Sequence, residues 1–144
     1  MTRPPSLREV RALQFCIALG GCAPVAAGLA GVAWGPHLAA GVDLASVPLD
    51  SHFRYLSGLL AALGFGFWST LPDIARRGAR FRLLSAIVVC GGLGRLISLL
   101  KLGPPDAPML FGLAMELVVT PALALWQARL ERRALAAARS DFHI

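Results

Sequence analysis

Arg95 and Glu116 are the residues of this chain best placed to do chemistry, because each lies well inside a long apolar stretch, where an unpaired charge is costly. Arg95 precedes Lys101 by six residues and Glu116 follows Met109 by seven, so at ~1.5 Å of helical rise per residue both sit about 10 Å inside the same end of their stretches. Adjacent antiparallel helices bring such residues to one level, where a guanidinium can bind a carboxylate through two parallel hydrogen bonds. Ser98 and Thr120 follow at helical spacing on the same faces. The pair can be a structural clasp or the floor of a ligand site, and spacing alone leaves both readings open.

A second polar group, Asp50, His52, Arg54 and Tyr55, opens an earlier apolar stretch. Asp50 and Arg54 are four residues apart and can pair on one helical face, while Asp50 or Ser51 can cap the helix start. Arg54 has only Asp50 nearby in sequence, so its guanidinium is expected to keep donors for another partner. Together the two groups predict an outward-facing polar pocket lined by Arg54, Tyr55, Arg95 and Glu116, with His52 beside it. Two cations next to one carboxylate leave room for an anion. Arg54 and Arg95 would neutralise a ligand head, Tyr55 would donate a hydrogen bond and Glu116 would orient Arg95.

The competing reading is an enzyme for a lipid-soluble substrate, with Glu116 and His52 as acid and base, since burial raises a carboxyl pKa and imidazole titrates near pH ~6.5. Against it, Arg95 favours the ionised form of Glu116, and the chain has no recognised nucleophile motif, metal set or nucleotide loop. No residue is therefore assigned a catalytic role and no cofactor is expected. A transporter is the third class. Only one acidic residue lies deep, and Ser69 and Thr70 are the polar groups toward the other end of the second stretch, so a complete pathway through one subunit is not expected. A homo-oligomer able to supply the missing half stays open.

Four apolar stretches must position these residues: 13–33, 53–71, 83–100 and 109–126, each close to the ~20 residues that an α-helix needs to cross a ~30 Å hydrocarbon core. They predict an all-α fold, an up-and-down four-helix bundle in the membrane, as one domain over residues 1–144 with a short basic cytoplasmic tail at 129–144. Charge sets the orientation, because Lys and Arg in short loops are retained on the cytoplasmic side. Arg3, Arg8 and Arg11 precede the first span, Arg76, Arg77, Arg80 and Arg82 lie between the second and third, and Arg129, Arg132, Arg133 and Arg139 follow the fourth. The connection 34–52 has no Lys or Arg but carries Asp43 and Asp50. Both termini are therefore expected in the cytoplasm. The net charge of +6 reads as orientation, with attraction to membrane lipids, and not as a nucleic-acid footprint.

Three arginines before the first apolar run imitate a secretory signal, but that run is longer than the ~7–15 residues of a signal h-region, so it is read as a span. Cys16, Cys22 and Cys90 all fall in apolar segments without nearby histidines, and neither a disulfide nor a metal site is expected. Gly20, Gly21, Gly28 and Gly31 with Ala27 in the first span, and Gly91, Gly92 and Gly94 in the third, mark expected helix contacts. Pro24 and Pro121 predict kinks. The mostly apolar segment 38–47, too short to cross, is expected to cap the outer helix ends, bracketed by the interfacial anchors Trp34 and Tyr55.

Four short motifs carry a resemblance: Asp50-Ser-His-Phe-Arg-Tyr-Leu-Ser-Gly58, Leu71-Pro-Asp-Ile-Ala-Arg-Arg77, Gly91-Gly-Leu-Gly-Arg95, and Glu116-Leu-Val with Leu125-Trp-Gln127. Over roughly residues 12–129 the chain resembles the small bacterial four-span proteins catalogued as domain of unknown function 4345. The resemblance implies an inner-membrane protein of four helices and brings no activity with it. A more distant likeness to small four-helix membrane proteins of the DoxX type rests on architecture alone.

Overall fold

The computed structural model describes residues 4–38 and 46–141, in which the expected all-α, four-helix architecture is observed. The chain forms two compact units, Phe15–Leu71, and Met1–Gln14 together with Pro72–Ile144. Helix α1 (Leu7–Trp34) runs through the boundary between them. It begins before its apolar run because Ser6 and Glu9 form a reciprocal capping box: Ser6 Oγ accepts from the Glu9 N–H at 3.2 Å, and Glu9 Oε2 accepts from the Ser6 N–H at 2.9 Å. Pro24 is accommodated within this continuous helix.

In the first unit α1 pairs antiparallel with α2 (Val47–Trp68). The two backbones approach closely at Gly28, where a Cβ would come within 2.5 Å of Ala61 N and 2.6 Å of Ser57 O. Gly64 closes against Val25 in the same way, and Gly21 against the Trp68 indole. Small residues permit this contact, which van der Waals attraction then holds in an apolar surrounding. Trp68 adds a directed tie, its Nε1–H donating to the Ala18 carbonyl at 3.0 Å. Gly20, in contrast, has nothing near the space a Cβ would fill, so only part of the expected glycine face is a contact.

In the second unit α3 (Gly78–Leu102) pairs antiparallel with one long column made of α4 (Ala107–Ala114), a π-helical turn (Met115–Val119) and α5 (Thr120–Asp141). Gly103, at φ +93°, ends α3, and Asp106 starts the next helix by accepting from the Met109 N–H at 3.1 Å. Gly92 and Gly78 are the glycines of α3 that the packing requires, a Cβ meeting Leu117 and Glu116 at the first and the Glu131 carboxylate at the second, whereas Gly91 and Gly94 face open space. Residues 129–141, the described part of the basic tail, continue α5, as their Ala, Leu and Arg content favours. Arg133 reaches Glu9 at 3.1 Å, and Gln127, fully buried, donates to the Ile74 carbonyl at 2.9 Å.

Among the described residues three helical segments are long and apolar enough to cross a membrane: Leu7–His37, Gly78–Leu102 and Ala107–Arg139. Helix α2, expected as the second span at 53–71, has 22 residues, yet Asp50, His52 and Arg54 crowd its first two turns and lower its apolar character. It starts at Val47 after Ser46, with Pro48 in the first turn, so neither Asp50 nor Ser51 is the cap that the sequence suggests. The expected outer cap falls mainly on residues 39–45, outside the described residues. Leu38, its first residue, closes a single 3₁₀ turn, Gly35–Leu38.

Candidate functional site

Arg95 and Glu116 meet in the second unit because α3 and the opposing column run antiparallel, with Gly92 letting the backbones close one turn away from the pair. Arg95 Nε lies 3.2 Å from Glu116 Oε1. The contact is single and not the bidentate fork: Arg95 Nη1 turns instead to Met109 Sδ at 2.9 Å. Glu116 Oε2 is buried and has no hydrogen-bond partner in the structure. The Arg95 side chain keeps 41 % of its surface exposed and Glu116 18 %, so the arginine is the accessible member.

Glu116 sits on the π-helical turn, which is local to Met115–Val119. Pro121 has no N–H to offer the helix, and the Thr120 hydroxyl donates to the Met115 carbonyl, five residues back, at 2.9 Å. The sequence indicates a kink at Pro121, but not that the extra residue is absorbed beside the carboxylate. Such turns recur at functional sites because they redirect one side chain without breaking the helix.

The polar group of α2 has a different construction. Asp50 Oδ2 accepts from Arg54 Nε at 2.9 Å, and Arg54 Nη1 reaches across the hairpin to the carbonyls of Val32 and Ala33, the latter at 3.2 Å. These belong to the last turn of α1, whose carbonyls have no partner within the helix. Arg54 is therefore a C-terminal cap for its neighbour, where a cation also meets the negative end of the helix dipole. The donors expected to be kept for another partner thus have backbone acceptors that sequence separation hides, Val32 being 22 residues away. Gly35, in the left-handed conformation at φ +66°, makes room, since a Cβ there would meet Asp50 Oδ1 at 2.7 Å and Arg54 Nη2 at 2.8 Å. The hydrogen bond from Arg54 holds the Asp50 carboxyl below its ordinary pKa, with the Arg54 and His37 charges acting in the same direction and partial burial opposing.

Tyr55 is 63 % exposed and His52 is also exposed. Of the residues predicted to line one pocket, Arg54, Tyr55 and His52 belong to the first unit and Arg95 and Glu116 to the second. Within the units the structure joins Arg54 to Asp50 and Arg95 to Glu116. Among the described residues no three His, Cys, Asp or Glu side chains gather as a metal set.

Compared with known proteins, residues 12–127 match the family model described as Domain of unknown function (DUF4345). No curated protein and no solved structure matches the chain.

Proposed function

The chain belongs to the DUF4345 family, and from its apolar helices and the charged pair between two of them we propose a multi-pass inner-membrane protein, with both termini cytoplasmic, that binds a lipid or an amphipathic, anionic small molecule without transforming it. The observation that carries this reading is the incomplete pairing of Arg95. Its Nε faces Glu116, its Nη1 faces only a thioether, a weak acceptor, and its side chain is 41 % exposed. A guanidinium in that condition inside an apolar helix pair retains donors for an anionic or strongly accepting headgroup. Glu116, fixed on the π-helical turn, holds the guanidinium in place.

Arg95 and Glu116 form the centre of the proposed site. Arg54 is assigned to the helix cap and not to the ligand, and Tyr55 and His52, exposed on α2, are separate candidates for contact with lipid. The arginine-rich ends of the helices support the orientation through the retention of positive charge inside.

Mass spectrometry of the protein released intact from mild detergent tests the binding reading. The wild type should carry a small molecule or lipid that Arg95→Gln does not. Equal occupancy in both, or an empty wild type under conditions that preserve native lipid, would leave the pair as a structural clasp. Reporter fusions test orientation: outside after Asp106, inside after Gly78. An outside signal after Gly78 would overturn it.

A further inference from the structure

The cytoplasmic end of the second unit contains a groove that the Arg95 site does not use. It lies between the turn before α3 and the last turns of α5, and is lined by Ala75, Arg76, Glu131, Ala134, Leu135 and Ala138. Its floor is apolar, with Leu135 56 % exposed. Arg76 lines one wall, and Arg132 and Arg139, three residues before and four after Leu135, fall on the same helical stripe as that leucine. All three arginines are exposed, and none has an ion-pair partner among the described residues. The one acid of the groove is neutralised: Glu131 Oε2 accepts from Arg82 Nη1 at 2.6 Å and rests over Gly78, in the space a Cβ would occupy.

The Arg82–Glu131 pair also indicates depth. It bridges α3 and α5 where the arginine cluster Arg76, Arg77, Arg80 and Arg82 gives way to the uncharged run 83–94, and that change in the sequence puts the end of the apolar segment near its level. Leu135 is one turn farther out, ~6 Å at ~1.5 Å per residue, within the ~5–7 Å of headgroup region on each side of a bilayer. An exposed leucine flanked by unpaired guanidiniums at that depth matches a molecule with an anionic head and an apolar root.

We propose that this groove binds an anionic phospholipid, its phosphate held by Arg76 with Arg132 and Arg139, and its glycerol and first acyl carbons resting on Ala134, Leu135 and Ala138. Arginine suits phosphate because its planar fork offers two parallel donors. The excess of positive charge selects an anionic over a zwitterionic lipid. This site is independent of Arg95, at the opposite end of α3.

The test titrates the full chain in mild detergent with phosphatidylglycerol or phosphatidylcholine of matched acyl chains and counts bound lipid by native mass spectrometry. The wild type should prefer phosphatidylglycerol. Each of Arg76→Gln, Arg132→Gln and Arg139→Gln should weaken that lipid on the order of fivefold, and the triple variant should lose the preference. Lys101→Gln, at the other end of α3, should keep it. Helicity and melting temperature identify variants that fail to fold; if the triple variant fails, Arg76→Gln alone decides. Equal binding of the two lipids, or an unchanged preference in the arginine variants, overturns the proposal. So does a concentration-dependent dimer that Leu135→Ser abolishes, since that assigns the groove to a second copy of the chain.

Discussion

Two arginine–carboxylate pairs of similar chemistry do different things in this molecule. Asp50 and Arg54 are four residues apart on one helix, near its polar start, and the remaining donors of Arg54 are occupied by carbonyls at the end of α1. Arg95 and Glu116 come from different helices, lie inside apolar segments, and leave a carboxylate oxygen without a partner and a guanidinium facing a thioether. The first pair completes a helix end. The second is incomplete by the standard that buried polar groups are satisfied, and such a departure is where a ligand is to be sought.

The largest expected effect comes from breaking the second pair. Arg95→Met leaves Glu116 ionisable and unpaired among apolar helices and should destabilise the protein by on the order of 3 kcal/mol. Adding Glu116→Leu should recover most of that loss, because the stranded charge has gone. A double-mutant cycle of thermal stability in detergent measures the coupling, and additive losses would show that the charges do not interact.

Next in size is the packing that lets each helix pair close. Gly28→Leu should cost about 1–3 kcal/mol by forcing α1 away from Ala61 and Ser57, as overpacking does. Gly20→Leu, whose Cβ would have nothing within 4 Å, should leave stability nearly unchanged. Similar melting temperatures for the two variants would contradict the assigned contact face.

Arg54→Met should act locally. Amide exchange should rise in the last turn of α1 and the first turns of α2, while any molecule that co-purifies with the wild type stays bound. Loss of that molecule from Arg54→Met with α1 still protected would move Arg54 from the cap to the ligand site.

The smallest effect is the acid response of the same pair. The folded Asp50 carboxyl titrates below its unfolded value, near ~3.9, so its contribution to stability is present above that value and is lost as pH falls through the lower folded one. Asp50→Asn should flatten this part of the acid-unfolding profile. An unchanged slope below pH ~4 would show that Arg54 gives the carboxylate no preference for its charged form.

What the sequence determined by itself are the properties that depend on one dimension. Helix number and the places where the chain turns follow from runs of apolar residues interrupted by Gly35-Pro36, by Gly103-Pro104-Pro105 or by an arginine cluster, and the matching depth of Arg95 and Glu116 follows from counting residues. The Asp50–Arg54 contact was legible for the same reason, since both groups lie on one helical face. Only the tertiary structure decided the rest. Gly28 and Gly92 are contacts while Gly20 and Gly91 are not, because a partner helix chooses one face of an almost uniformly apolar surface. The acceptors of Arg54 lie more than 20 residues away and are backbone atoms, which carry no sequence signature. The π-helical turn that aims Glu116 arises where Pro121 withholds a donor and Thr120 supplies one, a local exchange whose outcome depends on how α3 packs against the column. Hydrophobic length is written in the order of residues, whereas the partner of each polar group is settled when the helices meet.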